Sequence, residues 1–317
     1  MTLNYYELEP EDNTFKTISI QTTYQCQLAC SNCYLGDMLN DPNIPDVHAE
    51  RFADAINRLP SRCDIRFIGA EPTLNKNLPG LIKVAREAGH RPSLLTNGIK
   101  LSQGSYTKKL KDAGLNMLGL SMNGGLDDTL YEIFDGGRYA KHKTAALDNC
   151  FKYNILPHIN VIVDPHNIQV LKPLLDFIVD TAIKHNRKFS PIRFPVAYRI
   201  KSIGQMGNYM KTKSYSLMEL AEIMANVLEL EVNDILKNNV VDGFVESNAV
   251  LYKFQTRAGT MLGKLTDWNV DDDGVPDSGS NRRGILTDDY KIAPFFEYYQ
   301  RQQTPCHPDQ ISKKSKV

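Results

Sequence analysis

Apolar and polar positions along the first two hundred residues alternate in two different periods. Runs with a period near two, at residues 17–22, 64–68, 93–95, 117–121, 158–163 and 190–196, read as strands. Between them, residues 47–59, 78–88, 103–113, 142–153 and 168–184 carry apolar side chains at the spacing of an amphipathic helix. Strand and helix thus take turns at about 30 residues per unit, the rhythm of parallel strands joined by helical crossovers. A doubly wound sheet and a partial β/α barrel both satisfy that rhythm, and periodicity does not separate them.

After residue 200 the pattern changes. A glycine-containing loop at 203–209 precedes an amphipathic helix expected over 216–236, with Ser216 as its cap and Glu219 three residues on. The remainder is less regular, with Trp268, Arg282-Arg283-Gly284 and the aromatic run Phe295-Phe296-Glu297-Tyr298-Tyr299. The expected organisation is a β/α core over residues 1–210 and a C-terminal extension over 211–317, packed on the core within one domain. A Lys/Ser-rich tail, expected to be disordered, starts at about residue 309.

The polar motifs fall where chemistry is expected. Cys26, Gly69-Ala70-Glu71-Pro72, Thr96-Asn97-Gly98, Ser121-Met122-Asn123-Gly124 and Asp164-Pro165 each follow a strand. They would share the carboxyl edge of the sheet, where β/α folds place active sites.

Cys26, Cys30 and Cys33 lie in one short polar run. Thiolates are soft ligands that select zinc, copper(I) or iron–sulfur clusters. Closed zinc sites and most iron–sulfur clusters take four protein ligands. Here three are clustered, and no neighbouring His or Cys completes the set. A [4Fe–4S] cube on three thiolates leaves one iron open to a small molecule; a zinc site completed from afar and free thiols are the alternatives. Cys63 and Cys150 read as small buried hydrophobes, and Cys306 as a tail residue.

The spacing Cys-x3-Cys-x2-Cys resembles the signature of the radical S-adenosylmethionine (SAM) superfamily. Gly69-Ala70-Glu71-Pro72-Thr73 is similar to that family's Gly-Gly-Glu-Pro segment, Thr96-Asn97-Gly98 to its Thr-Asn-Gly turn, and Ser121-Met122-Asn123-Gly124 to its Ser-Ile-Asp-Gly. The resemblance covers residues 16–200 and implies a partial (β/α)6 barrel with parallel strands. It implies a [4Fe–4S] cluster on Cys26, Cys30 and Cys33, whose open iron chelates the amino and carboxylate groups of SAM. It further implies that Gly69, Ala70 and Glu71 meet the methionine ammonium. Thr96 and Asn97 would shape the cofactor pocket, and Ser121 and Asn123 would reach the ribose or carboxylate. Asn32 or Tyr34 would touch adenine, and Arg199 an anionic part of SAM or substrate. The chain departs from the family pattern at Ala70, where a second glycine is usual, at Asn123, where Asp is usual, and at Asn32, where an aromatic is usual.

The activity so implied is that of an oxygen-sensitive radical SAM enzyme with one cluster, fed by an electron donor such as flavodoxin or ferredoxin. The absence of a further cysteine set tilts the substrate toward a small polar metabolite. A peptide-modifying enzyme, or a non-catalytic iron–sulfur and SAM-binding protein, is the alternative. The sequence identifies neither the reaction nor the residues that act on substrate.

Charge and hydropathy narrow the rest. Lys and Arg number 37 against 37 Asp and Glu, so no net field favours nucleic acid or a membrane. No apolar run approaches the roughly 20 residues of a spanning helix, and no signal peptide opens the chain, which makes a cytoplasmic location the expectation. Residues 269–280 resemble a calcium loop, but Ser280 stands where a bidentate Glu is required, so a solvated turn is expected. Arg282 and Arg283 are expected either to fold over the barrel mouth toward a phosphate or carboxylate, or to form a surface pair.

Overall fold

The first strands have two buried faces of opposite chemistry. On β1 (Thr17–Gln21), Ile18 and Ile20 join the apolar core while Ser19, also buried, points the other way. On β2 (Asp64–Ile68), Ile65 and Phe67 flank Arg66 in the same manner. A computed structural model describes residues 5–203, 211–237, 249–267 and 283–302. In it β3 (Arg91–Thr96), β4 (Met117–Ser121), β5 (Leu156–Ile162) and β6 (Ala197–Lys201) continue the series, each parallel to its neighbour.

The crossovers are α1 (Ala49–Asn57), α2 (Leu78–Glu87), α3 (Gly104–Asp112), α5 (Ala140–Lys152) and α6 (Leu171–Lys184). A further helix, α4 (Asp128–Asp135), shares the β4–β5 connection with α5; it was not expected from the sequence. Phe52, Ile56, Leu81, Ile82, Leu147, Phe151 and Ile178 pack on the outward side chains of the strands in one core. Each fully buried aliphatic or aromatic side chain there contributes about 1.5–3 kcal/mol.

The crossover helices all pack on one face of the strands, in a single apolar core. A doubly wound sheet would carry helices on both faces. The opposite face, with Ser19, Arg66, Asn160 and Arg199, turns inward. This is the partial (β/α)6 barrel.

The C-terminal part is more regular than expected. β7 (Ala249–Thr256) and β8 (Gly259–Thr266) form an antiparallel hairpin, and β8 lies parallel to β6. β9 (Arg283–Leu286) lies parallel to β1, and β10 (Ile292–Pro294) closes that edge antiparallel. Among the described residues the sheet therefore has ten strands, with C-terminal strands at both edges.

Three expectations need correction. The sixth strand is Ala197–Lys201, not 190–196; Pro191 and Pro195 lack the N–H groups that a ladder needs, and Ser190 instead bridges Phe194 in a tight connection. The helix expected over 216–236 is two, α7 (Leu217–Leu228) and α8 (Val232–Lys237), broken at Glu229 with φ of 56°. Its capping box forms as read: Ser216 Oγ accepts from Glu219 N at 3.3 Å, and Glu219 Oε2 accepts from Ser216 N at 2.9 Å. Arg283 opens β9 opposite Thr17, at the amino end of β1, so it sits in the barrel wall and not over the mouth. The acidic loop at 269–280, Trp268, Arg282, Cys306 and the tail lie outside the described residues. The aromatic run forms α9 (Phe295–Gln302).

Candidate active site

The loop after β1 carries Cys26, Cys30 and Cys33, and three neighbours hold it. Toward β2, Ala70 N donates to Thr23 O and Glu71 N to Gln25 O, each at 3.0 Å. Gly69 permits this approach: its φ is 147°, and a Cβ there would stand 2.6 Å from Thr23 O. Toward α4, Ala29 N donates to Asp135 O at 3.1 Å and Ser31 N to Phe134 O at 2.9 Å. From the loop's own far side, Asn40 Oδ1 accepts from Cys26 N at 2.7 Å. The three thiols are half-buried and unbridged.

Glu71 joins the second motif to the third. Its carboxylate is fully buried. Oε1 accepts from Thr73 N at 3.0 Å, from Thr73 Oγ1 at 2.6 Å and from Thr96 Oγ1 at 2.7 Å. Oε2 accepts from Asn97 N at 2.7 Å. Thr96 in turn accepts from Gly98 N at 3.0 Å. Asn97 then reaches the cysteine loop: its Nδ2 donates to Cys26 Sγ at 3.8 Å, and its Oδ1 accepts from Gln27 Nε2 at 3.4 Å. Glu71, Thr96, Asn97 and Cys26 are thus one hydrogen-bonded unit, with Thr96 turned inward to Glu71 and Ala70 tied beside it to Thr23.

Cys30 has a different setting. Its thiol donates to Asp135 Oδ1 at 3.7 Å. Lys143 Nζ lies 2.6 Å from Asp135 Oδ2, with both side chains almost wholly excluded from solvent. The angle is that of a contact ion pair, not of an aligned hydrogen bond, so Oδ2 has no directed donor. Lys143 Nζ also donates to Ser121 O at 3.0 Å and lies over the Tyr131 ring. The fourth motif thereby meets the cysteine loop through a buried charge pair. Neither member was singled out from the sequence. The signal was present, since Lys143 interrupts the buried face Ala140, Ala146, Leu147, Cys150 of α5 at helical spacing.

Asn123 is buried, and its Oδ1 accepts from Ile162 N at 3.0 Å, tying the end of β4 to β5. Asn32 lies on the cysteine loop, and Tyr34 meets Tyr299 of α9 edge to face at 5.5 Å. Arg199 points into the barrel, where its Nη2 donates to His158 Nδ1 at 2.5 Å.

Electrostatics make the thiols poor free nucleophiles. Burial, with the charges of Glu71 and Cys33 adding to it, pushes Cys26 up to about 11 against the Leu28 N–H that it accepts. Burial and then Asp135 push Cys30 higher still, partly offset by Lys143. Such thiols ionise when a metal displaces the proton. Among the described residues, no three His, Cys, Asp or Glu side chains converge as the ligands of a single ion do. A cube needs its three thiolates spread over three irons. Cys63 and Cys150 are buried in the apolar core. The donor set fits a three-thiolate cluster.

Comparison with known proteins agrees. The model of the radical SAM superfamily matches residues 20–178, half of the chain. The chain belongs to that superfamily, whose members use a [4Fe–4S] cluster and SAM. Over 140 residues, 42% of the chain, it is 34% identical to 7,8-dihydro-6-hydroxymethylpterin dimethyltransferase of Methanocaldococcus jannaschii. Over 51% of the chain it is 29% identical to Fe-coproporphyrin III synthase of Methanosarcina barkeri and 28% identical to a probable GTP 3′,8-cyclase of Methanococcus aeolicus. The matches span only 27%, 40% and 55% of those relatives. Streptococcus suis SuiB bound to precursor peptide SuiA superposes with TM-score 0.53 at 18% identity, over 67% of this chain and 45% of that one. Native anSMEcpe with bound AdoMet and Kp18Cys peptide superposes with TM-score 0.52 at 15% identity, over 95% of this chain and 84% of that one. These structures share the fold. Among the described residues no helix is long and apolar enough to cross a membrane.

Proposed function

We propose that this chain is a radical SAM enzyme acting on a small polar metabolite, with Cys26, Cys30 and Cys33 holding its cluster. When bound, the cluster and SAM supply a one-electron cleavage of the sulfur–C5′ bond, giving methionine and a 5′-deoxyadenosyl radical that takes a hydrogen atom from substrate. The observation that carries the reading is the continuous bonding of Glu71, Asn97 and Cys26. It fixes the cysteine loop against the ends of β2 and β3, so three thiols are held in place before any ligand arrives. Gly69 and Ala70 offer backbone at the same edge, where a cationic amino group finds carbonyl acceptors. Glu71 keeps that edge in shape from below.

Part of the cover comes from the chain's own C-terminal helix. The edge contact of Tyr34 with Tyr299 brings α9 onto the cysteine loop, and Tyr299 Oη donates to Gln21 Oε1 at 2.7 Å. A covered site excludes the water that would quench a reactive carbon centre.

Anaerobically reconstituted, chemically reduced protein given SAM is expected to be brown and to release 5′-deoxyadenosine. Cys30→Ala is expected to release none. A colourless zinc protein, or a wild type without product under strong reductant, overturns the reading.

A further inference from the structure

The carboxyl end of α4 grips the backbone on both sides of Cys30. Ala29 N donates to Asp135 O, and Ser31 N to Phe134 O. Gly136 permits this approach: it caps α4 with φ of 78°, and a Cβ there would stand 2.9 Å from Ala29 Cβ. The backbone that carries Cys30 is therefore fixed to the backbone that carries Asp135, whose Oδ1 accepts from the Cys30 thiol.

Lys143 is caged as tightly. Its Nζ lies 2.6 Å from Asp135 Oδ2, 3.0 Å from Ser121 O and 4.9 Å from the centre of the Tyr131 ring. That ring is held in turn. Tyr131 Oη donates to Gly125 O at 3.0 Å, and a Cβ on Gly124 would meet the ring at 2.8 Å. The side chains of Lys143 and Asp135 are 1% and 2% exposed, so salt screens them far less than it screens surface charges. Both charges are felt at the sulfur. After burial, the largest cause, Asp135 makes the Cys30 thiol harder to ionise and Lys143 makes it easier.

Holding the loop does not require these ions. The two backbone bonds already do so, and replacing a buried ion pair by well-packed apolar side chains is often neutral or stabilising. What the ions add is a fixed field at one sulfur. A metal-bound cysteine is a thiolate, so Cys30 in that state has no proton to donate to Asp135, and Lys143 is the counter-charge that remains. Charges fixed beside a cluster shift its potential: a cation favours the reduced, more negative state, and an anion the oxidised one.

We infer that Lys143 and Asp135 are positioning residues that set the cluster potential through Cys30, with Lys143 raising it and Asp135 lowering it. The inference rests on the proposed function for Cys30 as a cluster ligand.

The test is an anaerobic redox titration of the reconstituted full-length chain, followed by electron paramagnetic resonance, with iron content measured for each protein. Asp135→Asn is expected to raise the midpoint and Lys143→Met to lower it. Each shift corresponds to about a tenfold change in the ratio of reduced to oxidised cluster at fixed potential, ~59 mV for one electron. Lys143→Met combined with Asp135→Leu removes both charges and is expected to return the midpoint toward the wild type. If Lys143→Met alone does not fold, Asp135→Asn is still expected to stand above the double variant. Lys141→Gln, at an exposed position of the same helix, is expected to leave the midpoint in place. A merely structural role would lower iron content without moving the midpoints in opposite directions. Midpoints that stay put, or that move the same way, in variants of a wild type that takes up iron overturn the inference and leave the three-thiolate reading standing. A wild type that takes up no iron overturns both.

Discussion

Lys143 Nζ stands 2.6 Å from Asp135 Oδ2 in a pocket closed to solvent, and the other oxygen of that carboxylate accepts from the Cys30 thiol. A buried pair of this kind stabilises little by itself, since desolvation offsets much of the attraction. Breaking it is costly. Lys143→Met strands a carboxylate in the core beside Cys30, a proposed cluster ligand. The expected loss is about 3–5 kcal/mol, read by anaerobic urea unfolding of the metal-free protein. Lys143→Met combined with Asp135→Leu is expected to recover most of it. If the single change costs under ~1 kcal/mol, the pair is not the tie between the fourth motif and the cysteine loop.

Glu71 has four donors aimed at two oxygens. Glu71→Gln keeps the shape but turns an amide N–H toward one of them, at a cost of about 1–3 kcal/mol for the buried mismatch. Iron content is expected to stay at the wild-type level while SAM affinity falls, measured by equilibrium dialysis. Unchanged affinity would remove Glu71 from the support of the cofactor site.

Asn97 Nδ2 donates to Cys26 Sγ. Donors to cluster sulfur stabilise the reduced, more negative state. Asn97→Ala is therefore expected to lower the cluster midpoint by about 20–60 mV, the one-electron equivalent of ~0.5–1.5 kcal/mol. A redox titration followed by electron paramagnetic resonance decides it, and an unmoved or raised midpoint sinks the assignment.

The sequence by itself determined the local elements and the motifs that end them. Five of the six expected strands lie where alternation put them, because Ile18 and Ile20, or Ile65 and Phe67, must face helices whatever lies on the other side. The Ser216 cap was equally legible, since its partner Glu219 is one turn away. Relations between distant segments were not. Asp135 and Lys143 are unremarkable until α4 and α5 are docked beneath the cysteine loop. Arg199 and His158 read as unrelated until β5 and β6 pair side by side and the two side chains meet inside the barrel. The edge strands β7 to β10 likewise depend on which partner each finds, a choice made by long-range pairing and not by local preference. Period and spacing fix what each segment is; only closure of the barrel decides which charges must live together.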